Sequence, residues 1–570
     1  MQMVASRHTR SARGSSRFVA ALLAALLAGA ALLSASGADP ATAGPRPNIV
    51  VIQTDDQTLQ QVYATWRTPF GLKARVMPNT LDLIKKQGVT FNRYYAGYPL
   101  CCPSRVTLLS GRYAHSHGVI SNDAPRGGWP GYRKKAVFRH NLAVWLQSAG
   151  YRTIHLGKFI NNYGGATKED TTTEVPPGWN NWQTAASDHD ARRFYGYMLN
   201  VNGALEGPFG SRDYRDVSNK DDLGCPQTPP LLGSCNYQAD VITQRAVEQI
   251  EASAPGGPFY LQLNYIAPHG DTEPPIGPEP ATRHYDSAVD TPLPKPPQFN
   301  EGNISDKPSF IRDQAEFLDP VQIRRIRIEY QKSLESLRSV DEGIGRVIEA
   351  LESSGELGNT YVFFLSDNGF FFGEHRLERS KFLPYEAAIH MPLLIRGPGI
   401  EPGTSSGEMV SNIDLAPTIL RLTRATATRR FDGRSLVPFW RDTSRRTNRP
   451  ILLESFINAT DINGDGVPDR APGAGASISA PVENYLGVRL GPYMYVEYET
   501  GDRELYDLAK DPHELNSRHK SRRYDRIQAF LRRQIQRLEG CVGPECKFTT
   551  ARPPKPGLPP KQGQPVAPSR

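Results

Sequence analysis

The sequence predicts an α/β protein. A large, mostly parallel central sheet flanked by helices is followed by a smaller C-terminal α+β subdomain carrying a short antiparallel sheet. Three observations predict it. Apolar runs of strand length alternate with helical patterns through most of the 570 residues. Those runs are continuously apolar, as strands buried on both faces are. After residue 450 the pattern changes to short strands parted by turn glycines. Composition agrees: 38% hydrophobic residues supply a sizeable core, and 50 Gly with 48 Pro supply many loops. A mean hydropathy of −0.48 excludes a polytopic membrane protein. No internal repeat is visible, which argues against a solenoid or propeller.

The elements follow in order. Arg7, Arg10, Arg13 and Arg17 precede an Ala/Leu-rich run from Phe18 to Leu33, and Ala41-Thr42-Ala43 fits a small-residue cleavage site. Residues 1–43 therefore read as a secretory signal peptide, with an uncleaved anchor as the competing reading. A secreted or periplasmic location follows, with no stable membrane anchor. Residues 44–450 form the expected catalytic domain. Its strands are Asn48–Gln53, Arg152–Leu156, Phe259–Tyr265 and Tyr361–Leu365, and helices are expected at Thr80–Gln87, Leu142–Ser148, Tyr237–Ala252 and Ile323–Ser353. Residues 451–540 form the C-terminal subdomain, with strands at 485–489, 493–498 and 504–507 and a helix from Tyr524 to Leu538. Residues 541–570 form an end closed by a disulfide and a Pro-rich tail, expected to be disordered from Lys547.

The formal charge of +8 becomes about +5 once residues 1–43, with four Arg and one Asp, are removed; this modest basic balance suits acidic ligands without identifying them,. No Lys/Arg block with interleaved aromatics points to nucleic acid. The six cysteines fall in three close pairs. In an exported chain, Cys225 with Cys235 and Cys541 with Cys546 read as local disulfides. Cys101 and Cys102 are adjacent, where a disulfide would be strained, so they need another explanation.

In a parallel sheet, ligands bind at the carboxyl ends of the strands. The four expected strands are followed by Asp55-Asp56, Gly157-Lys158, Pro268-His269 and Asp367-Asn368-Gly369. Each alone reads as a turn residue, helix cap or solvated charge; four together do not. Asp55, Asp56, Asp367 and Asn368 are an all-oxygen set, which selects Ca²⁺ or Mg²⁺, with Ca²⁺ favoured. Between the first two strands lies Cys101-Cys-Pro-Ser-Arg-Val-Thr-Leu-Leu-Ser-Gly-Arg112. Pro103 fits a helix N1 position. Cys101 would then precede a helix N-terminus and Arg105 would sit in its first turn, which describes an anion-binding nucleophile site. A phosphatase-like thiolate and a merely buried Cys pair both remain open on this evidence.

The stretch from Cys101 to Arg112 resembles the type I sulfatase signature, a C-x-P-S-R core followed by a small residue, Gly and Arg. The resemblance extends over Pro47 to His519 through the four strand-end motifs, Lys381 and Pro392–Ile400. Cys101–Arg105, Gly157–Tyr163 and Pro176–Trp179 look most like the N-acetylglucosamine-6-sulfatase, extracellular endosulfatase and arylsulfatase branch. The resemblance implies the alkaline-phosphatase-like fold. It also implies that Cys101 is converted to formylglycine (3-oxoalanine) by a formylglycine-generating enzyme. Its hydrate attacks sulfur, and its second hydroxyl then expels sulfate. Asp55, Asp56, Asp367, Asn368 and residue 101 would hold the cation. Lys158, Lys381 and His269 would bind substrate and assist catalysis, and Arg105 would orient the diol and the carboxylates. The expected substrate is a sulfated sugar or an aryl sulfate. The alternatives are a phosphonate or phosphate monoester hydrolase with the same nucleophile, or an inactive binder of sulfated glycans.

Two features depart from a simple match. Many sulfatases carry His two residues after the strand-end Lys; here Ile160 stands there, followed by Asn161. His115, His117 and His375 are therefore weighed as replacement bases, each more readily a structural histidine. Asp461–Asp469 resembles the first nine positions of a Ca²⁺ loop, but Pro472 stands where the twelfth ligand should be, so a complete EF-hand is excluded.

Overall fold

The computed structural model describes residues 45–557 except 68–70, 166, 168, 211–235, 255, 272–276, 314 and 457–482. The targeting segment, the Cys225–Cys235 pairing and the Asp461–Asp469 loop lie outside the described residues.

Strand β1 (Asn48–Thr54) is buried along its whole length, as its unbroken apolar run requires,. The sheet around it adds β2 (Val89–Phe91), β3 (Arg152–Gly157), β4 (Asn181–Ala185), β5 (Tyr197–Val201), β6 (Ala204–Phe209), β7 (Phe259–Asn264), β8 (Thr360–Ser366), β9 (Leu393–Arg396) and β10 (Thr404–Ser406). Their spatial order is β10-β2-β9-β8-β1-β7-β3-β4-β5-β6. The central five, β8-β1-β7-β3-β4, are mutually parallel. Antiparallel pairing begins at β9 on one side and at β5 on the other. Four parallel strands match the expected ones; β4 and the mixed margins were not foreseen. Their signals are weak for a physical reason. β9 has only four residues, and β6 is mostly exposed and carries Gly207-Pro208.

Helices cover both faces. The main ones are α1 (Cys101–Ser110), α2 (Leu142–Ser148), α3 (Gln238–Ser253), α4 (Pro320–Ser353), α5 (Leu415–Thr423) and α6 (Asp525–Leu538). Alternate residues of β1 serve opposite layers. Ile49 and Val51 pack in a core with Leu108, Leu109, Leu142, Leu146 and Ile419 from α1, α2 and α5. Val50 and Ile52 pack with Ile242, Ile250, Leu334 and Ile344 from α3 and α4. Helix α4 begins with a capping box at Asp319 and Pro320 in its first turn,. The expected helix at Thr80–Gln87 forms over Thr80–Lys85 as a π-helix. Asp341 of α4 fixes its start, accepting from Asn79 N–H at 2.9 Å and Thr80 N–H at 2.7 Å.

The C-terminal sheet runs β11 (Ile451–Ser455), β12 (Tyr485–Leu490), β13 (Tyr493–Tyr498) and β14 (Arg503–Asp507), all antiparallel. Ile527, Leu531, Ile535 and Leu538 of α6 pack on Val488, Leu490 and Tyr495. Cys541 and Cys546 are disulfide-bonded. After them, residues 547–557 make backbone hydrogen bonds with distant parts of the chain, and the rest of the expected disordered tail lies outside the described residues. Thr550 N–H donates to Asn448 O at 3.2 Å and Gly557 N–H to Arg523 O at 2.8 Å. Those backbone bonds, with Phe548 packed beside the disulfide, hold residues 547–557 down despite their prolines. Among the described residues no helix is long and apolar enough to cross a membrane.

Candidate active site

Level strand ends build the site. Gln53 of β1 pairs with Asn264 of β7, Thr54 with Ser366 of β8, and Asn264 with Gly157 of β3. The residues that follow therefore emerge side by side. Gly157 permits this convergence: its φ is +91°, and a Cβ there would stand 2.1 Å from Asn264 O,.

Helix α1 enters from the other side. It starts earlier than the sequence suggests: Leu100 is its extended N-cap and Cys101 its first residue, with Pro103 two positions inside. The shift costs no hydrogen bond, because Pro103 still lies in the first turn, where N–H groups have no helical partner. Ser104 N–H makes the first bond, to Leu100 O at 2.9 Å. The Ser104 hydroxyl donates to Asp367 O at 2.5 Å and accepts from Asn412 Nδ2 at 3.0 Å, tying the turn to the end of β8.

The structure brings all nine expected site residues together. Cys101 Sγ lies 3.5 Å from Asp55 Oδ1 and 3.0 Å from Lys381 Nζ. Lys381 Nζ donates to Asp56 Oδ1 at 2.6 Å and Oδ2 at 2.9 Å. Lys158 Nζ pairs with Asp55 Oδ2. Arg105 Nε donates to Asp367 Oδ2 at 2.9 Å, and its other nitrogens reach Asp55 Oδ2 at 3.2 Å and Lys158 O at 3.1 Å. Asn368 Nδ2 donates to Asp56 Oδ1 at 2.6 Å. His269 Nδ1 lies 2.6 Å from Gly270 O, so Nδ1 carries the proton and Nε2 faces the cluster, 3.7 Å from Asp56 Oδ2,.

Three carboxylates and three permanent cations are thus balanced in a buried pocket. Burial pushes the Asp55 carboxyl up, but Lys158, His269, Arg105 and Lys381 together hold it well below the usual carboxylate range,. Burial and then the Asp55 charge raise Asp367 to about 6. Burial, then Lys158, lowers His269 to about 4. Burial and Asp55 push the Cys101 thiol up to about 12, so an unmodified Cys101 here is a thiol.

The donor set fits a hard divalent cation. Asp55, Asp56 and Asp367 each offer an oxygen within 4.8 Å of the others. Asn368 Oδ1 is buried with no hydrogen-bond partner among the described residues, which suits an oxygen donor to a hard cation.

The replacement bases are engaged elsewhere. His115 bonds to Glu454 Oε2 at 2.7 Å and Cys541 O at 2.9 Å, His117 to Thr107 Oγ1 at 3.0 Å, and His375 to Glu301 Oε2 at 2.6 Å. Ile160 is a core side chain. Asn161 N–H donates to Cys102 Sγ at 3.2 Å, which accounts for the second cysteine: it is buried and hydrogen-bonded, and both thiols are free. Glu374 accepts from Phe372 N–H at 2.6 Å.

Fold and site together fit a hydrolase class: a buried cysteine at a helix N-terminus, flanked by lysines and a cluster of oxygen groups that could hold a cation, at the carboxyl ends of a parallel sheet. A family profile described as Sulfatase matches residues 47–425, and the chain belongs to the sulfatase family of sulfuric ester hydrolases. It is 30% identical over 567 residues to an arylsulfatase of Volvox carteri, covering 92% of this chain and 79% of that one. It is 29% identical over 521 residues to the human N-acetylglucosamine-6-sulfatase, covering 88% and 86%. An extracellular sulfatase Sulf-1 homologue of Caenorhabditis elegans is 32% identical over 396 residues, 68% of this chain; the chain spans about half (48%) of that relative's length. A solved structure in complex with its substrate D-glucosamine-2-N,6-O-disulfate shares the fold, with a TM-score of 0.64, 22% identity and coverage of 88% and 98%. So does a phosphonate monoester hydrolase from Silicibacter pomeroyi, with a TM-score of 0.62, 22% identity and coverage of 87% and 96%.

Proposed function

We propose that this protein is an exported hydrolase of sulfate monoesters, acting on sulfated sugars of the N-acetylglucosamine 6-sulfate type or on aryl sulfates. The observation that carries the reading is the convergence of Cys101, Arg105, Lys158, His269 and Lys381 on the cluster of Asp55, Asp56, Asp367 and Asn368. Formylglycine at position 101, made by a formylglycine-generating enzyme, would supply a hydrated aldehyde as a nucleophile that can release its sulfate. Ca²⁺ or Mg²⁺, held by the four oxygen ligands and residue 101, would polarise the sulfate and favour the anionic nucleophile.

The chain's own groups do the rest. Lys158 and Lys381 are both buried, so they act on developing sulfate charge in a medium of low dielectric. Lys381, between Asp56 and residue 101, also holds the nucleophile in line. Arg105 bridges Asp55 and Asp367 and fixes both carboxylates. His269 Nε2 would meet the leaving-group oxygen, and to act as general acid there it must first take up a proton, which the negative charge of the bound sulfate ester would favour. Residues 1–43, as a signal peptide, would carry the chain out of the cytoplasm, and Cys101 must be oxidised before folding buries it.

Tryptic mass spectrometry across Cys101, joined to assays on matched sulfate and phosphate esters, tests this. The expected result is an aldehyde at position 101 and preferred turnover of sulfate. Preferred turnover of phosphate would favour the phosphonate/phosphate hydrolase reading. An intact thiol with glycan binding and no turnover would favour an inactive binder.

A further inference from the structure

Strand β4 is the fifth parallel strand, and its carboxyl end opens beside that of β3, with Thr184 paired to Gly157. Four of the five parallel strand ends deliver residues to the sulfate chemistry. The fifth delivers Ala186-Ser-Asp-His-Asp-Ala-Arg192, which that chemistry does not use. The segment is firmly built. Ser187 Oγ donates to Asp190 Oδ2 at 2.7 Å, Asp190 Oδ1 accepts Met198 N–H at 3.0 Å, and Asp188 N–H donates to Gly165 O at 2.9 Å.

Asp188 and Arg192 form an ion pair one helical turn apart. Asp188 is 4% exposed, yet its Oδ1 has no hydrogen-bond partner among the described residues, and neither has the buried Arg192 Nε. The pair is linked to the first turn of α1 by charge and by a run of hydrogen bonds. Burial opposes the Arg192 charge, but Asp188 first, then Cys101, Asp123 and Asp55 raise it above the usual guanidinium value. Asp123 accepts from Asn162 Nδ2 at 3.0 Å, and the preceding Asn122 accepts from Cys102 N–H at 2.9 Å, joining this neighbourhood to the first turn of α1. Orphaned polar atoms at such a place call for a ligand rich in donors and acceptors. A sugar ring supplies both; an aryl ring supplies neither.

We infer that Asp188 and Arg192 are the subsite for the hydroxyl-bearing sugar of the substrate. Asp188 Oδ1 accepts a ring hydroxyl, and Arg192 donates to a neighbouring sugar oxygen. The assignment rests on the sulfatase reading and adds to it the residues that select the alcohol.

The test compares glucosamine 6-sulfate and related sugar sulfates with 4-nitrophenyl sulfate, using Asp188→Asn and Arg192→Gln in the full, formylglycine-bearing chain. For the sugar, kcat/KM should fall about 10- to 100-fold, the loss expected for hydrogen bonds to charged groups, and mostly through KM. For the aryl ester it should stay within about threefold, which also reports intact folding and nucleophile. Arg192→Gln, at the partly exposed end of the pair, should give the same split if Asp188→Asn lowers the melting temperature. Equal losses on both substrates in both variants, or no loss on the sugar, overturn the subsite. Wild-type turnover of the aryl ester but no sugar sulfate overturns it too, leaving the sulfatase reading intact. Turnover of neither ester overturns both.

Discussion

At the scale of single residues, Cys101 carries the functional argument. Its surroundings include the carboxylates of Asp55 and Asp367, the imidazole of His269 and the lysines Lys158 and Lys381, and as a plain thiol it is buried and protonated. A serine at position 101 can take a sulfuryl group from substrate but has no second hydroxyl to expel it. Cys101→Ser should therefore give at most a stoichiometric burst and then stop, with sulfate retained on the protein. A burst assay with mass spectrometry reads this, and sustained turnover would contradict it. Position 160 teaches the complementary lesson. Ile160 stands there instead of a histidine and packs in the hydrophobic core, and His115, His117 and His375 are hydrogen-bonded elsewhere.

At the scale of elements, two contacts set how the scaffold holds the site. Helices α3 and α4 meet where Gly343 leaves space for a hydrogen-bonded Thr243–Tyr265 pair; a Cβ there would stand 2.4 Å from Thr243 Oγ1 and 2.6 Å from Tyr265 Oη. Alanine is the better helix former by about 1 kcal/mol. Gly343→Ala should nevertheless lower the melting temperature, because the overlap forces apart helices covering β1 and costs about 1–3 kcal/mol. The second contact ties the turn after α1 to the C-terminal sheet. Burial opposes charging His115, but Glu454 of β11 outweighs it and raises His115 to about 9. The folded value lies above the unfolded one of about 6.5. Its stabilisation is therefore complete below about pH 6.5 and is lost as pH rises through about 9. His115→Gln should flatten the fall in melting temperature across that window, and an unchanged pH profile would count against the pair.

At the scale of the whole molecule, a cation held by the buried oxygen cluster would add to stability. An ion that binds only the folded chain adds about 2.7 kcal/mol at a hundred times its dissociation constant. Chelation should lower both activity and melting temperature, and Ca²⁺ or Mg²⁺ should restore them; calorimetry with each ion separates the two. The sequence by itself determined the parallel core of the sheet, because a strand buried on both faces must be apolar throughout. It also nominated the residues that the fold gathers, because those strands end in carboxylates, a lysine and an imidazole, and the Cys101 segment lies between the first two of them. It did not show β4, the mixed margins or the ordered stretch after Lys547, whose stability comes from pairing and packing with distant segments. It could not show that the strand leading to Asp188 and Arg192 pairs beside β3, whose end carries Lys158. Local sequence fixes which residues follow a strand; which strands lie side by side depends on long-range pairing, and tertiary structure alone decided that.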